Sequence, residues 1–74
     1  MRVAIKCFAT LARFAPPAGF MELPEGARVL DLLAALEIPV SEVKLVFRNN
    51  RHAAVEAELS DGDEVRLFPA VGGG

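Results

Sequence analysis

The chain has little of several residue types on which other classes of protein depend. Its single cysteine, Cys7, excludes an internal disulfide, and one cysteine with one histidine cannot supply the ligands of a structural zinc site. Tryptophan, tyrosine and basic runs are absent, which disfavours a nucleic-acid partner. No apolar stretch approaches the ~20 residues that span a bilayer, so we expect a cytoplasmic protein with no membrane partner.

The length of the chain limits what it can do alone. Its 74 residues are predicted to form a single domain, 1–74. A chain of this size buries only ~60% of its unfolded surface, which leaves little room for a deep substrate pocket. His52 has no nucleophile nearby, and Cys7 is expected on an inward strand face, where burial makes a thiol unreactive. We therefore expect neither an enzyme nor a permanently bound cofactor.

Residue spacing predicts several strands and one helix. Four apolar residues follow helical spacing: Val29, Leu32, Leu33 and Leu36. Pro39 ends this helix, and two earlier prolines mark residues 9–18 as a loop. Asn49 and Asn50 predict a two-residue hairpin turn, because asparagine tolerates the left-handed conformation. The predicted strands cover residues 2–8, 20–23, 45–48, 51–54 and 64–68.

The order of these elements indicates the fold. It runs strand, strand, helix, hairpin, strand, and a lone helix must bury its apolar stripe against one face of a sheet. This order predicts an α+β protein of the β-grasp (ubiquitin-like) class, with a mixed sheet of four to five strands packed on one main helix. We expect the last strand to pair near the first, and residues 70–74 to leave the sheet as a flexible Gly-Gly tail.

The tail is the strongest chemical signal in the sequence. Pro69 fixes the direction in which the chain leaves the last strand, and the end of the tail has no side chains. We predict that Val71, Gly72 and Gly73 thread into a partner's narrow active site, because glycine lets the backbone approach a nucleotide closely. The carboxylate of Gly74 would be the reacting group. Adenylation with ATP would give it the leaving group that a carboxylate lacks.

Five segments carry a resemblance to a known family. They are residues 23–27, the leucine-rich helix around 31–33, the hairpin around Asn49, and residues 61–65 and 67–74. In these segments the chain resembles the MoaD/ThiS family of ubiquitin-like sulfur carriers, which end in Gly-Gly. The long connection 8–20 and the Leu-Phe-Pro-Ala-Val segment are similar to its molybdopterin synthase small subunit. The chain departs from that branch at Ala70, where proline is common, and in its third terminal glycine.

The resemblance implies a carrier role with several protein partners. An E1-like enzyme would adenylate Gly74 using ATP, and a sulfurtransferase or cysteine desulfurase would supply sulfur to form a thiocarboxylate. The molybdopterin synthase large subunit, or another sulfur acceptor, would then receive the sulfur. Three alternatives stay open: a carrier for thiamine, cysteine or tRNA thiolation, a ubiquitin-like modifier of lysines, and a non-covalent adaptor. Only the adaptor has no need of a free terminal carboxylate.

A partner surface is predicted on the sheet beside the tail. Strand alternation places Val65 and Leu67 inward, and Arg66 and Phe68 outward. The same rule, applied to residues 45–47, places Leu45 and Phe47 inward and Val46 outward. The sequence therefore predicts a partner interface composed of Val46, Arg66, Phe68 and Pro69.

Overall fold

The computed structural model describes residues 1–70 as a five-stranded sheet with an α-helix against one face. In chain order the elements are β1 (Arg2–Cys7), β2 (Phe20–Glu22), α1 (Val29–Ala35), β3 (Val43–Arg48), β4 (Arg51–Ala53) and β5 (Glu64–Pro69). Short 3-10 helices occupy Ala9–Phe14 and Val40–Glu42. None of the helices within 1–70 is long and apolar enough to cross a membrane.

The last strand lies in the centre of the sheet. The strand order is β2-β1-β5-β3-β4, with β5 parallel to β1 and antiparallel to β3. Ile5 lies opposite Val65 in the parallel pair, and Arg48 lies opposite Val65 in the antiparallel pair. This arrangement confirms the predicted β-grasp class and the predicted pairing of the last strand with the first. It also places the start of the tail in the middle of one end of the sheet.

The hydrophobic core fills the space between the sheet and α1. Alternate residues of β1 and β5 point into it, so each of these strands has one buried face. The core residues from the sheet and the helix include Val3, Ile5, Val29, Leu32, Leu33, Val46, Val65 and Leu67. We call the opposite side of the sheet, away from α1, the outer face.

The helix ends earlier than predicted and for a different reason. It ends at Ala35, and Glu37 then adopts a left-handed conformation with φ of 60°. The Ile38 N–H donates to the Leu33 carbonyl oxygen at 2.9 Å, which is the long hydrogen bond of a Schellman motif. Pro39 comes after this motif, so the prediction that Pro39 ends the helix is wrong.

Two connections differ in how well the local sequence predicts their structure. Asn49 and Asn50 have φ of 53° and 68°, as the two central residues of a type I′ turn require, which confirms the predicted hairpin. The predicted loop 9–18 instead begins with the 3-10 helix, which Leu11 anchors by full burial. Packing of Leu11 in the core orders this segment, for which the nearby prolines predict only a loop.

Candidate functional site

The end of β5 is held on both sides up to the point where the tail begins. On one side the Phe8 N–H donates to the Leu67 carbonyl oxygen at 3.1 Å. On the other side Val43 pairs with Pro69, and the Ala70 N–H donates to the Glu42 carbonyl oxygen at 3.3 Å. The chain therefore leaves the sheet from a fixed point. The predicted tail residues Val71, Gly72, Gly73 and Gly74 lie outside the described residues.

The alternation of β5 places three of its side chains on the outer face. Val65 and Leu67 are fully buried against the core, as predicted. Arg66 and Phe68 are half-buried and belong to the other face, as does Glu64. The structure thus brings two of the predicted interface residues together on a surface that leads to the tail.

The predicted orientation of β3 is wrong. Val46 lies opposite Leu67 and is only 3% exposed, so it points into the core and offers no surface to a partner. Leu45 lies opposite Phe68 and is 39% exposed, while Phe47 lies opposite Arg66. Because all three residues of this segment are apolar, polarity could not fix the phase of the alternation. Cross-strand pairing with β5 fixes the phase instead. It places Val46 in the core and its neighbours Leu45 and Phe47 on the outer face.

This orientation of β3 produces a continuous apolar surface beside the tail. The Phe8 ring stacks on Phe68 with centroids 4.5 Å apart, and Phe47 meets Phe68 edge to face at 5.6 Å. Leu45 completes the group, and we call these four residues the aromatic patch. Exposed apolar clusters of this kind mark protein–protein interaction sites. The interface predicted from the sequence does not include Phe8, although the alternation that points Cys7 inward also points Phe8 outward.

Charged residues lie directly beside the aromatic patch. Glu64 accepts a hydrogen bond from Arg66 Nε at 3.1 Å, and Lys6 Nζ lies 3.9 Å from the other Glu64 carboxylate oxygen. An open depression of about 250 Å³ is lined by Phe47, Asn50, Arg66 and Phe68. The outer face is therefore apolar beside the tail, and the charged group of Lys6, Glu64 and Arg66 lies next to this apolar surface, toward the start of β5.

The two residues considered for chemistry have settings that suit other roles. Cys7 is half-buried against the core, and burial raises the pKa of its thiol, which disfavours the reactive thiolate. His52 is exposed on β4, with its ring edge-on to Phe47 at 6.0 Å. Within residues 1–70, no group of three histidine, cysteine or acidic side chains is placed to hold a metal ion.

Several solved structures share this architecture. SAMP1 from Haloferax volcanii, a small archaeal modifier protein, is 29% identical over the whole of both chains, with a TM-score of 0.73. A putative molybdopterin converting factor subunit 1 from Pyrococcus furiosus is 30% identical over 96% of this chain and 99% of its own, also with a TM-score of 0.73.

A third structure shares the fold alone. It comes from a complex of subunits 1 and 2 of the molybdopterin-converting factor of Helicobacter pylori. It is 20% identical over the whole of both chains, with a TM-score of 0.60. Among curated proteins, none matches this chain.

The sequence itself gives the family. Residues 5–74 match the ThiS family, a span that includes the end of β1, all of the later strands, α1 and the tail. The β-grasp topology, the central position of β5 and the structural neighbours agree with that match. The chain belongs to the ThiS family of ubiquitin-like sulfur carriers.

Proposed function

We propose that the chain carries sulfur for molybdopterin biosynthesis as a thiocarboxylate on Gly74. The observation that carries this proposal is the firmly held end of β5 beside the aromatic patch, in a member of a sulfur-carrier family. A partner that docks on the patch would receive a tail whose starting point is fixed. Fixing that point lowers the entropy cost of bringing the terminal carboxylate to a reaction site.

The proposed chemistry uses only the terminal carboxylate of this chain. One oxygen of the Gly74 carboxylate attacks the α-phosphorus of ATP, and pyrophosphate leaves. A persulfide sulfur of the donor protein then attacks the acyl carbon, and AMP leaves. A donor thiol next cleaves the sulfur–sulfur bond, forming a disulfide on the donor and releasing the thiocarboxylate. In this proposal the chain is a co-substrate, and its partners supply the catalytic groups.

The partners follow from these steps. An E1-like adenylating enzyme would bind the aromatic patch and use ATP, and a sulfurtransferase or cysteine desulfurase would provide the persulfide. The molybdopterin synthase large subunit would bind the loaded carrier and accept its sulfur. The 30% identity to a protein named as a putative molybdopterin converting factor subunit 1 supports this pathway.

A second candidate function is modification of other proteins. The 29% identity to SAMP1, over the full length of both chains, supports it. Both functions share the adenylation step and differ in the nucleophile that attacks the acyl group. Sulfur gives a thiocarboxylate, whereas a lysine amine gives an isopeptide bond.

Intact mass of the protein purified from its native cells tests the proposal. Replacement of one carboxylate oxygen by sulfur adds ~16 Da to the acyl group, and we expect this species. Deleting Gly74, or adding a residue after it, should abolish ATP–pyrophosphate exchange with the adenylating enzyme of the same genome while the fold persists. Full exchange with the extended protein would refute a reaction at Gly74.

Reconstitution then separates the two functions. The loaded carrier is mixed with the molybdopterin synthase large subunit of the same genome and the pterin precursor. Sulfur transfer to the pterin supports the proposed pathway. Isopeptide conjugates without pterin sulfuration would support the modifier function instead.

A further inference from the structure

The guanidinium group of Arg66 forms a hydrogen bond at one edge and is open at the other. Its Nε donates to Glu64 at 3.1 Å, and the hydrogen bonds found within residues 1–70 engage neither terminal nitrogen of this guanidinium. The side chain is about one-third exposed and lines the depression beside Phe47 and Phe68. A guanidinium with both terminal nitrogens open can bind a carboxylate through two parallel hydrogen bonds.

The charged group around Arg66 contains one more cation than anion. Lys6 and Arg66 share a single carboxylate, that of Glu64, so this group carries a net charge of about +1. Glu22, another acid on the outer face, is already paired with Arg2 at 2.6 Å. A docking partner that covered this group would have to supply the missing negative charge or leave a desolvated cation behind.

The walls of the depression favour one kind of anion. Phe47 and Phe68 provide two aromatic surfaces in edge-to-face contact, and Asn50 adds an exposed carboxamide at the rim. An acidic side chain has an apolar stem of one or two methylene groups below its carboxylate. The stem can pack against the rings while the carboxylate reaches the open edge of Arg66.

We propose that this depression is a subsite for an aspartate or glutamate side chain of the protein that docks on the aromatic patch. The inference rests on the proposed function, because it assigns a chemical group to the partner surface proposed there. It identifies Arg66 as a specificity-determining residue. Phe8, Leu45 and Phe68 would supply apolar contact, and Arg66 would select partners with an acid at one position.

The distribution of charge over the molecule supports an acidic partner. The chain has a formal net charge of -2, yet the group around Arg66 is positive. Together with one exposed arginine, Arg28, five exposed acids lie on α1 and in the segments beside it: Glu25, Asp31, Glu37, Glu56 and Glu58. An acidic partner surface would therefore repel the helix side and attract the outer face, which orients the encounter.

A small carboxylic acid tests the subsite without any partner. Butyrate is titrated into isotope-labelled protein by NMR, with neutral butyramide as the isosteric control. We expect saturable shifts at Asn50, at the Arg66 Nε–H and at the Phe47 and Phe68 rings, with millimolar affinity, and none with butyramide. Arg66→Gln should abolish them. Equal shifts with both compounds, or unchanged shifts in Arg66→Gln, would overturn the subsite.

The matched control changes a charge on the other side of the sheet. Arg51 lies opposite Arg48 at the hairpin, on the face of the buried Val65. Arg51→Gln removes the same charge and should leave the butyrate shifts intact. Removing residues 71–74 provides a second control. Shifts at the depression on truncation, without butyrate, would show that this chain's own end occupies it and would overturn the proposal.

Binding to the adenylating enzyme then distinguishes this inference from the proposed function. If wild-type protein supports no ATP–pyrophosphate exchange, the proposed function is wrong. The butyrate titration still tests the subsite in that case, because it needs no partner protein. If wild-type protein is adenylated, Arg66→Gln should raise its KM about tenfold, while the maximal rate at saturating carrier is unchanged.

The salt dependence of KM tests whether the charge of Arg66 contributes to binding. Between about 50 mM and about 500 mM NaCl, the wild-type KM should rise more steeply than that of Arg66→Gln. Arg66→Lys should restore part of the affinity, because it keeps the charge but loses the two parallel hydrogen bonds. An Arg66→Gln protein with wild-type KM and wild-type salt dependence would refute the inference.

Discussion

Phe8 stacks face to face on Phe68, with ring centroids 4.5 Å apart and ring planes 6° from parallel. The backbone of Phe8 also donates to the Leu67 carbonyl oxygen, so the end of β1 holds the end of β5 by both main chain and side chain. Phe8 is 36% exposed. One aromatic pair therefore supports the start of the tail and forms part of the surface on which a partner would dock.

The first prediction concerns Phe68→Ala. We expect this change to weaken binding to the adenylating enzyme at least about tenfold, because aromatic anchors at interface centres carry ~2 kcal/mol or more. Loss of the ring contacts with Phe8 and Phe47 should lower the free energy of unfolding by only ~1–2 kcal/mol. Calorimetric binding titrations and urea unfolding measure the two effects separately.

Phe20→Ala is the matched control for this change. Phe20 also lies on the outer face, but on β2 at the far edge of the sheet, where the Arg2 guanidinium covers its ring at 4.0 Å. Its removal should leave partner affinity unchanged. If Phe68→Ala lost much stability and kept wild-type affinity, the ring would be a core element and the aromatic patch would not be the interface.

Most of the fold could be predicted from the sequence because the strands, the hairpin turn and α1 carry local signals. The Asn49-Asn50 turn and the helical spacing of α1 depend on residues close together in the chain. The end of α1 could not be predicted in this way. Glu37 has no intrinsic preference for a positive φ, and the Schellman hydrogen bonds hold it there.

The candidate site was predicted in part, and its error has one physical cause. Arg66 and Phe68 were placed correctly because polar and apolar residues alternate along β5. Val46 was misplaced because its neighbours Leu45 and Phe47 are also apolar, so the orientation of β3 depends on pairing with β5. Long-range pairing is the information that a single sequence lacks.

The second prediction concerns the lone thiol. Cys7→Ala should lower the free energy of unfolding by ~1 kcal/mol or less, since the side chain is small and only half-buried. Because burial raises the pKa of the Cys7 thiol, iodoacetamide at pH 8 should alkylate the folded protein more slowly than the urea-unfolded chain. Sulfur loading should persist in the variant. A stable Cys7→Ala protein that could not be loaded would give this thiol a chemical role.

The third prediction follows from the left-handed residue that ends the helix. Glu37→Gly should raise the free energy of unfolding by about 0.5–1 kcal/mol, because glycine adopts φ of 60° without steric cost. That corresponds to roughly 2–8 °C in the melting temperature of a domain this small. Ala34→Gly, at an exposed site within α1, should instead destabilise by ~1 kcal/mol. Equal losses in both variants would contradict the assigned role of Glu37.

The fourth prediction concerns the buried carboxylate of Asp63, which joins two turns at the end of the sheet opposite the tail. Its oxygens accept hydrogen bonds from Arg48 Nε at 2.6 Å, the Ser60 N–H at 2.7 Å and Asn49 Nδ2 at 2.9 Å. Burial alone would raise the pKa of Asp63. The hydrogen bonds and the charge of Arg48 outweigh burial and hold this pKa below its ordinary value.

Because the folded pKa of Asp63 is depressed, its ionisation stabilises the fold above the unfolded value of about 3.9, and this contribution is lost as pH falls through the folded pKa. Asp63→Asn should therefore lower the free energy of unfolding by ~2 kcal/mol at pH 7. Urea unfolding from pH 7 to pH 2 should show the difference from wild type shrinking below about pH 4. Glu58→Gln, at an exposed position nearby, should show no such trend. A difference for Asp63→Asn that stayed constant down to pH 2 would mean that its packing, and not its charge, stabilises the two turns.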